Sequence, residues 1–152
     1  MKRVLGIDPA SESGFAVLYD QQHLIGGSWE IGEPGWTKCP ESASLAGQKL
    51  GRRIRSLCMD LGGKPDVIAC ENPTSQSRGI AKAYGMLLAD VAIAGRSLGI
   101  PVVFVLPTVW KKRVLGKGGA SKHAVWNYAS GLADPLVDQN HADAICIAMY
   151  IE

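Results

Sequence analysis

The apolar run Arg3–Asp8 (RVLGID) decides the fold, because it predicts a buried strand that ends in a carboxylate directly before Pro9. A turn at residues 11–13 leads into a second predicted strand, Phe15–Tyr19. The chain then turns again into a third strand, His23–Ile31. Connections this short predict an antiparallel meander of three strands.

Later segments alternate between helical and strand patterns, with no repeat, low-complexity tract or linker between them. The predicted fold class is therefore α/β, with residues 1–152 forming one domain. Its mixed five-stranded sheet has three antiparallel and then two parallel strands, flanked by helices. The remaining predicted elements are helix Ser44–Leu61, strand Asp66–Cys70, helix Arg78–Leu98, strand Pro101–Leu106, helix Val109–Val114, a helix capped by Ser121 that runs to Ser130, and a last helix, capped by Asn140 or Asp138, that runs through Ile151.

The predicted helix Arg78–Leu98 carries apolar residues at alternating spacings of four and three. This seam suits two uses, which are packing against the sheet within one chain and pairing with a second copy of the chain. Its members are Ile80, Tyr84, Leu87, Val91, Ala94 and Leu98.

The composition excludes several classes of protein. With 47% hydrophobic and 20% charged residues among 152, the chain is too apolar for a disordered protein. Its longest apolar stretches, such as Ile100–Trp110, are too short and too interrupted to cross a bilayer, and we recognise no signal peptide. Four cysteines without a C-x-x-C pair predict a reduced, intracellular protein rather than a zinc ribbon.

The net charge of +2 is unevenly distributed along the chain. No Asp or Glu occurs from Val91 to Ala133, so this third of the protein is a candidate anion-binding surface, while the remainder is net acidic. The basic residues of this stretch are Arg96, Lys111, Lys112, Arg113, Lys117 and Lys122.

Three carboxylates stand at the ends of apolar elements or inside them. Asp8 ends the first strand, Glu71 follows the fourth, and Asp143 lies in the apolar last helix. If the first and fourth strands are neighbours, Asp8 and Glu71 are one strand spacing apart, about 4.8 Å between backbones. Clustered carboxylates repel one another unless a proton or a cation compensates, and Mg²⁺ or Mn²⁺ are the usual partners of oxygen ligands. Taken singly, each also fits an ordinary role: Asp8 as a turn former, Glu71 as a surface-loop residue and Asp143 as a partner of the helix dipole.

Four segments form a joint pattern, namely Val4–Pro9 with Gly14–Val17 (GFAV), Val67–Glu71 (VIACE), the spacing of Lys111 and Lys122, and residues 140–144 (NHADA). Together they resemble the RuvC-type Holliday junction resolvases. They are similar, in order, to the family's opening strand–turn–strand, its fourth strand with a catalytic Glu, two basic residues at or beside its active site, and its closing motif.

The resemblance implies a ribonuclease H-like fold and a nuclease site with two Mg²⁺ ions, for which Mn²⁺ substitutes. It implies a homodimer that cuts two strands of a four-way DNA junction symmetrically, in the cytoplasm of a bacterial cell or a phage-infected host. It also implies that Asp8, Glu71 and Asp143 are catalytic metal ligands, and that Lys111 and Lys122 offset charge on the reacting phosphate.

The fourth metal ligand of the family, an acidic residue or His, is replaced here by Asn140. The amide oxygen of Asn140 is able to ligate a metal, although without charge, and an N-cap for the last helix is the alternative. We rank His141 second and Asp138 third for this position.

The resemblance and the charge pattern also suggest DNA contacts. Trp110 and Trp126 are candidates for stacking on bases, with burial as the alternative. The segment Pro73–Gln76 lacks the aromatic wedge of bacterial members of the family, so the means of opening a junction is not predicted. Contacts to the phosphate backbone are expected from Arg96, Lys112, Arg113 and Lys117.

Two other functions stay open at this point. One is a related ribonuclease H-like nuclease that acts on other branched DNA or on structured RNA. The other is a non-catalytic junction-binding module, which the uncharged Asn140 favours.

Overall fold

A computed structural model of the chain describes residues 2–74 and 77–151 and contains a five-stranded sheet between two groups of helices. The spatial order of the strands is β3-β2-β1-β4-β5. In chain order, the elements are β1 (Arg3–Asp8), β2 (Glu12–Tyr19), β3 (Gln22–Glu30), a 3₁₀ turn (Trp36–Lys38), α1 (Pro40–Asp60), β4 (Val67–Glu71), α2 (Arg78–Leu98), β5 (Val102–Val105), α3 (Pro107–Leu115), α4 (Lys122–Ser130) and α5 (Gln139–Ile151).

Strand β1 lies at the centre of this sheet. It pairs with β2 in the antiparallel sense and with β4 in the parallel sense, and β4 pairs with β5 in parallel. Ile7 is opposite Phe15 on one side and Cys70 on the other. The predicted mixed sheet is confirmed, and the first and fourth strands are neighbours.

The alternation of side chains along β1 divides the core into two layers. Leu5 and Ile7 belong to a layer that α1 and α2 cover, whereas Val4 belongs to a layer formed with α3, α4 and α5. Both layers are fully closed to solvent at β1, because helices cover both faces of the sheet. This explains why Arg3–Asp8 is a continuous apolar run rather than an alternating one.

Glycines allow α5 to lie close to the sheet. A Cβ atom at Gly6 would overlap the carbonyl oxygen of Ala144, and one at Gly14 would overlap the backbone carbonyl of Asn140. Gly14 is paired with Asp8 across β1 and β2. The start of α5 is therefore held beside the end of β1, which brings the last helix to the first carboxylate.

The side chains of the apolar seam of α2 pack largely in the core of the same chain. Leu87, Val91 and Ala94 are completely buried in the layer shared with α1 and β1, whereas Ile80 at the start of the seam is 43% exposed. The structure therefore favours the core-helix interpretation over pairing of this seam with a second copy.

Strand β2 begins earlier than predicted, at Glu12 rather than Phe15. Ser13, expected in the turn, is a strand residue whose Oγ accepts from Ala10 N–H at 3.1 Å and donates to Ala10 O at 2.8 Å. The turn is thus closed by a side chain from inside the strand, a contact that local propensity does not reveal.

Other boundaries also differ from the predicted ones. Helix α1 begins at Pro40 rather than Ser44, because proline is well suited to the first helical position. Strand β4 extends to Glu71, whose backbone still pairs with Val105 of β5. Ser121 caps α4 as predicted, its side chain accepting from Ala124 N–H at 3.1 Å.

Further sequence expectations concern cysteines, membrane segments and the wedge position. Cys58, Cys70 and Cys146 are buried, as their apolar contexts predict. Within residues 2–74 and 77–151, no helix has the length and apolar character needed to cross a membrane. Ser75 and Gln76, in the segment where the family's wedge was considered, lie outside the described residues.

The close approach of α5 to the sheet predicts opposite effects for two Gly→Ala substitutions. Gly14→Ala should lower the free energy of unfolding by about 1–3 kcal/mol, because the new methyl group meets the backbone of Asn140. Gly85→Ala, on an open face of α2, should raise it by about 0.5–1 kcal/mol. Urea denaturation measures both, and equal effects of the two substitutions would contradict the packing described.

Candidate active site

Two carboxylates lie at the same edge of the sheet, where the neighbouring parallel strands β1 and β4 end. Ile7 of β1 pairs with Cys70 of β4, and the residues that follow are Asp8 and Glu71. Asp8 is only 8% exposed and Glu71 is partly buried. Asp143, from the start of α5, is also partly buried. We call these three side chains, Asp8, Glu71 and Asp143, the carboxylate cluster.

The three members of the cluster share one electrostatic environment. Burial raises the pKa of Asp8 well above its ordinary value, and the charges of Glu71 and Asp143 raise that pKa further. Asp138 adds to this rise, whereas Lys111 opposes it. The side chains thus lie near enough to repel one another, as expected for carboxylates that approach from different elements.

Neutral hydrogen-bond donors contact two members of the cluster. The indole Nε1–H of Trp110 donates to Oε2 of Glu71 at 2.6 Å, and Nε2 of Gln139 donates to Oδ1 of Asp143 at 3.1 Å. For both carboxylates burial is the larger effect and raises the pKa, while the donated hydrogen bond lowers it.

Sequence reasoning missed both donors. Trp110 was a candidate for base stacking with burial as the alternative, and its fully buried side chain favours the alternative. The position of Trp110 offered a signal for this contact. Trp110 directly precedes the basic residue Lys111, on the helix that follows β5. Gln139 offered a weaker signal, its spacing of four residues from Asp143 on one helix face.

The predicted lysines lie in the field of the cluster. Lys111 lowers the pKa of all three carboxyl groups, and Lys122 lowers that of Asp143. The Lys111 ammonium also lies 5.5 Å from the centre of the Trp110 ring. The structure therefore brings both lysines to the same edge of the sheet as the carboxylates.

The carboxylate cluster offers oxygen ligands to a metal ion, but its side chains are not gathered around one point. Among residues 2–74 and 77–151, no three His, Cys, Asp or Glu side chains meet at the separation of ligands on one ion. Nevertheless, the donor set consists of carboxylate oxygens, which suit a hard divalent cation, and their repulsion is the condition that a cation relieves. The chemistry of the residues fits such an ion, provided that the side chains rotate inward around it.

The residues considered for the fourth ligand have different environments. Asp138 caps α5, its carboxylate accepting from His141 N–H at 2.9 Å and from the Ser28 hydroxyl at 2.6 Å. The alternative role of Asn140 as a cap is therefore wrong, because Asn140 is the second residue of the helix. Asn140 lines a cavity of about 890 Å³ together with the turn at Ala10.

His141 faces away from the carboxylate cluster. It is 2% exposed, and its Nδ1 accepts from Val137 N–H at 3.2 Å. Its Nε2 lies 3.0 Å from Nε2 of His23 on β3. Burial lowers the pKa of His141 to about 4, helped by the neighbouring His23. Both ring nitrogens of His141 thus have partners within the fold, Nδ1 in the segment before α5 and Nε2 on β3 of the sheet.

The remaining basic residues fall into two places. Lys112, Arg113 and Lys117 are exposed on α3 and the loop after it, where a groove of about 660 Å³ runs between α3 and Tyr150. Arg96 is exposed in the last turn of α2, which leads to the start of β5. Arg96 therefore lies at the opposite edge of the sheet from the carboxylates, and the structure does not bring it to the site.

The capping role of Asp138 predicts a difference between two substitutions. Asp138→Ala should lower the free energy of unfolding by about 1–2 kcal/mol, because the first turn of α5 loses its cap. Asp138→Asn should stay within about 0.5 kcal/mol of the original protein, since Asn caps equally well. Thermal or urea unfolding measures the difference, and equal losses from both would show that the charge, not the cap, matters.

The amino-acid sequence is similar to that of a known protein. No family model matches the sequence. The chain is 27% identical over 155 residues to a crossover junction endodeoxyribonuclease RuvC from Dehalococcoides mccartyi, covering 97% of this chain and 89% of the relative.

Solved structures agree with that similarity. The chain superposes on the Thermus thermophilus RuvC structure with a TM-score of 0.78 at 22% identity, covering 97% of this chain and 92% of that one. The match to T. thermophilus RuvC in complex with a Holliday junction substrate has a TM-score of 0.80, again at 22% identity, and covers 99% and 92%. The chain is thus RuvC-like in sequence along nearly its whole length, and its fold is the ribonuclease H-like fold of RuvC.

Proposed function

We propose that the chain is a divalent-metal-dependent endonuclease that resolves four-way DNA junctions by hydrolysing paired phosphodiester bonds. One observation carries the proposal: carboxylates from β1, β4 and α5 lie in one field at one edge of the sheet. The same fold in T. thermophilus RuvC has been seen in complex with a Holliday junction substrate.

In this proposal, Asp8, Glu71 and Asp143 hold Mg²⁺, with Mn²⁺ as a substitute and two ions in each site. Asn140 completes the ligand set through its amide oxygen, since it precedes Asp143 by one helical turn and borders the cavity beside Ala10. When bound, such ions supply the charge that activates water and stabilises the leaving oxygen.

The chain's own basic residues provide the remaining parts of the reaction. Lys111 and Lys122 lie in the field of the carboxylates and donate to the phosphate on which negative charge develops. Lys112, Arg113 and Lys117 border the same helix and loop, and hold the phosphate backbone that leads to the site. Arg96, at the opposite edge of the sheet, receives no role in this surface.

The uncharged Asn140 is the observation that favours a second candidate, a non-catalytic junction-binding module. A ligand set with one charge fewer holds a divalent ion less tightly, because the cation's attraction to the site is smaller. The carboxylate cluster nevertheless retains three potential anionic ligands, which a purely binding module does not need. The catalytic function is therefore the one that the geometry supports best.

Substitution of Asp8 tests the nuclease. Asp8→Asn should reduce cleavage of a synthetic four-way junction in Mg²⁺ by about 100-fold or more, since even the residues that orient metal ligands typically contribute 10–100-fold. Junction binding should be retained, because the phosphate contacts are unchanged. Asp60→Asn, an exposed substitution at the end of α1, is the matched control.

The substrate is tested in the same assay with a Y-fork, a structured RNA and a linear duplex. The four-way junction should be cut fastest. Equal rates on all substrates would replace junction resolution with a broader nuclease activity. If the wild-type protein binds the junction but shows no metal-stimulated cleavage, the chain is instead the non-catalytic junction-binding module.

We also propose that the active form is a homodimer, since a junction presents two equivalent strands to be cut. Because the seam of α2 is largely buried, another surface is needed. Large apolar side chains are exposed on the outer face of α2 at Ile93 and on the edge strand β5 at Phe104, which makes this side of the molecule the candidate interface.

Sedimentation velocity tests the dimer. The wild-type chain should sediment as a dimer at micromolar concentration, and Ile93→Glu should convert it to a monomer because a charge enters an apolar contact. Met59→Glu, on the exposed face of α1, should leave the dimer intact. A monomeric wild-type chain would remove the dimer from the proposal.

A further inference from the structure

The side chain of Trp110 combines complete burial with a polar contact at the site. It is 0% exposed, in a core layer that includes Val4, Val105 and Ile145. Its single N–H donor meets Oε2 of Glu71 at 2.6 Å. An indole enclosed by packed side chains has little freedom, so the donor is fixed in space before any ligand arrives.

Gln139 provides the same kind of contact to a second carboxylate. Its Nε2 donates to Oδ1 of Asp143 at 3.1 Å and lies 3.4 Å from the carbonyl oxygen of Lys122. Gln139 and Asp143 are one helical turn apart, so α5 itself sets their separation. The contact to Lys122 also ties this turn to the start of α4.

We infer that Trp110 and Gln139 are positioning residues, which hold one oxygen of Glu71 and one of Asp143, respectively, beside the site, so that a rotation of each carboxylate brings its other oxygen to a divalent cation. The inference rests on the proposed function. It deepens that function by naming the groups that keep Glu71 and Asp143 close to the site while no cation is bound.

The neutrality of both donors supports this role. Glu71 and Asp143 repel each other and also Asp8, so without restraint they would turn away from one another. A Lys or Arg partner would hold them but would also cancel the charge that attracts a cation. Trp and Gln donate hydrogen bonds without adding charge, and the two carboxylates keep their attraction for a divalent ion.

One hydrogen bond also leaves a carboxylate able to ligate. A carboxylate has two oxygens with about four lone-pair positions, so one donor fixes its orientation without exhausting its capacity. Groups that orient metal ligands in this way typically contribute 10–100-fold to metal affinity.

The test measures cation binding by the free protein, apart from any cleavage. Isothermal calorimetry with Mn²⁺ should show affinity about 10–100-fold weaker for Trp110→Phe and for Gln139→Met, because each loses one donor. Trp126→Phe, in the same core layer, and Gln48→Met, exposed on α1, are the matched controls and should bind like the wild type. Circular dichroism and urea denaturation of each variant establish that it is folded.

A spectroscopic measurement separates positioning from a merely structural role. In the wild type, Mg²⁺ should shift the indole ¹H–¹⁵N resonance of Trp110, because its acceptor becomes a ligand. Glu71→Gln should shift the same resonance without any cation. The resonance of Trp126 should not respond to either change.

The outcomes are distinct. If the folded Trp110→Phe and Gln139→Met variants bind Mn²⁺ as tightly as the wild type, the positioning role is wrong and the proposed nuclease is unaffected. If the wild type itself binds no divalent cation and cuts no junction, the proposed function fails and the inference fails with it. If Trp110→Phe does not fold, Gln139→Met, at the partly exposed start of α5, decides the question by the same calorimetric criterion.

Discussion

Repulsion among three partly buried carboxylates is the constraint on which the site depends. Asp8, Glu71 and Asp143 come from separate elements, and burial makes their negative charges costly. A fold that only needed stability would place apolar side chains at this edge of the sheet. The surrounding structure instead keeps the charges together, through the fixed register of β1 with β4 and the glycines that admit α5.

Neutral donors lie in direct contact with the carboxylate cluster, and the positive charges lie farther from it. Neutral donors from Trp110 and Gln139 contact the carboxylates directly, whereas Lys111 and Lys122 act on them through the field. Among residues 2–74 and 77–151, the side chains that donate to Glu71 and Asp143 are the neutral ones of Trp110 and Gln139 rather than Lys or Arg, so the negative charge of the carboxylates remains available to a cation. A phosphate entering the site meets positive charge from the lysines at the same time. The arrangement suits a reaction in which an anion must approach a cluster of anions.

The sequence predicted the parts of this arrangement that depend on pattern. The buried run Arg3–Asp8 and the run that ends at Glu71 are apolar strands closed by a carboxylate, and their adjacency follows from the order of elements. The bounds of α2 were also predicted, since its apolar spacing and the Gly after it are local signals. The burial of its seam against α1 was not settled, because core packing and self-pairing use the same spacing.

Contacts between distant segments were not predicted. His141 contacts His23 of β3, 118 positions away in the chain, and the Ser28 hydroxyl donates to Asp138, 110 positions away. Each depends on which side chains meet after folding, so no single window of sequence contains it. The bond from Trp110 to Glu71 is of the same kind, joining residues 39 positions apart. Local contacts were predicted in part, since Asp138 was one of the two candidate caps of α5.

The most direct test of the account is a crystal structure of the wild-type protein soaked in Mn²⁺, with the ion located by anomalous scattering. Manganese is expected between Asp8, Glu71 and Asp143, with these side chains drawn inward around it. Manganese bound elsewhere, with the three carboxylates still apart and sharing no ion, would contradict it.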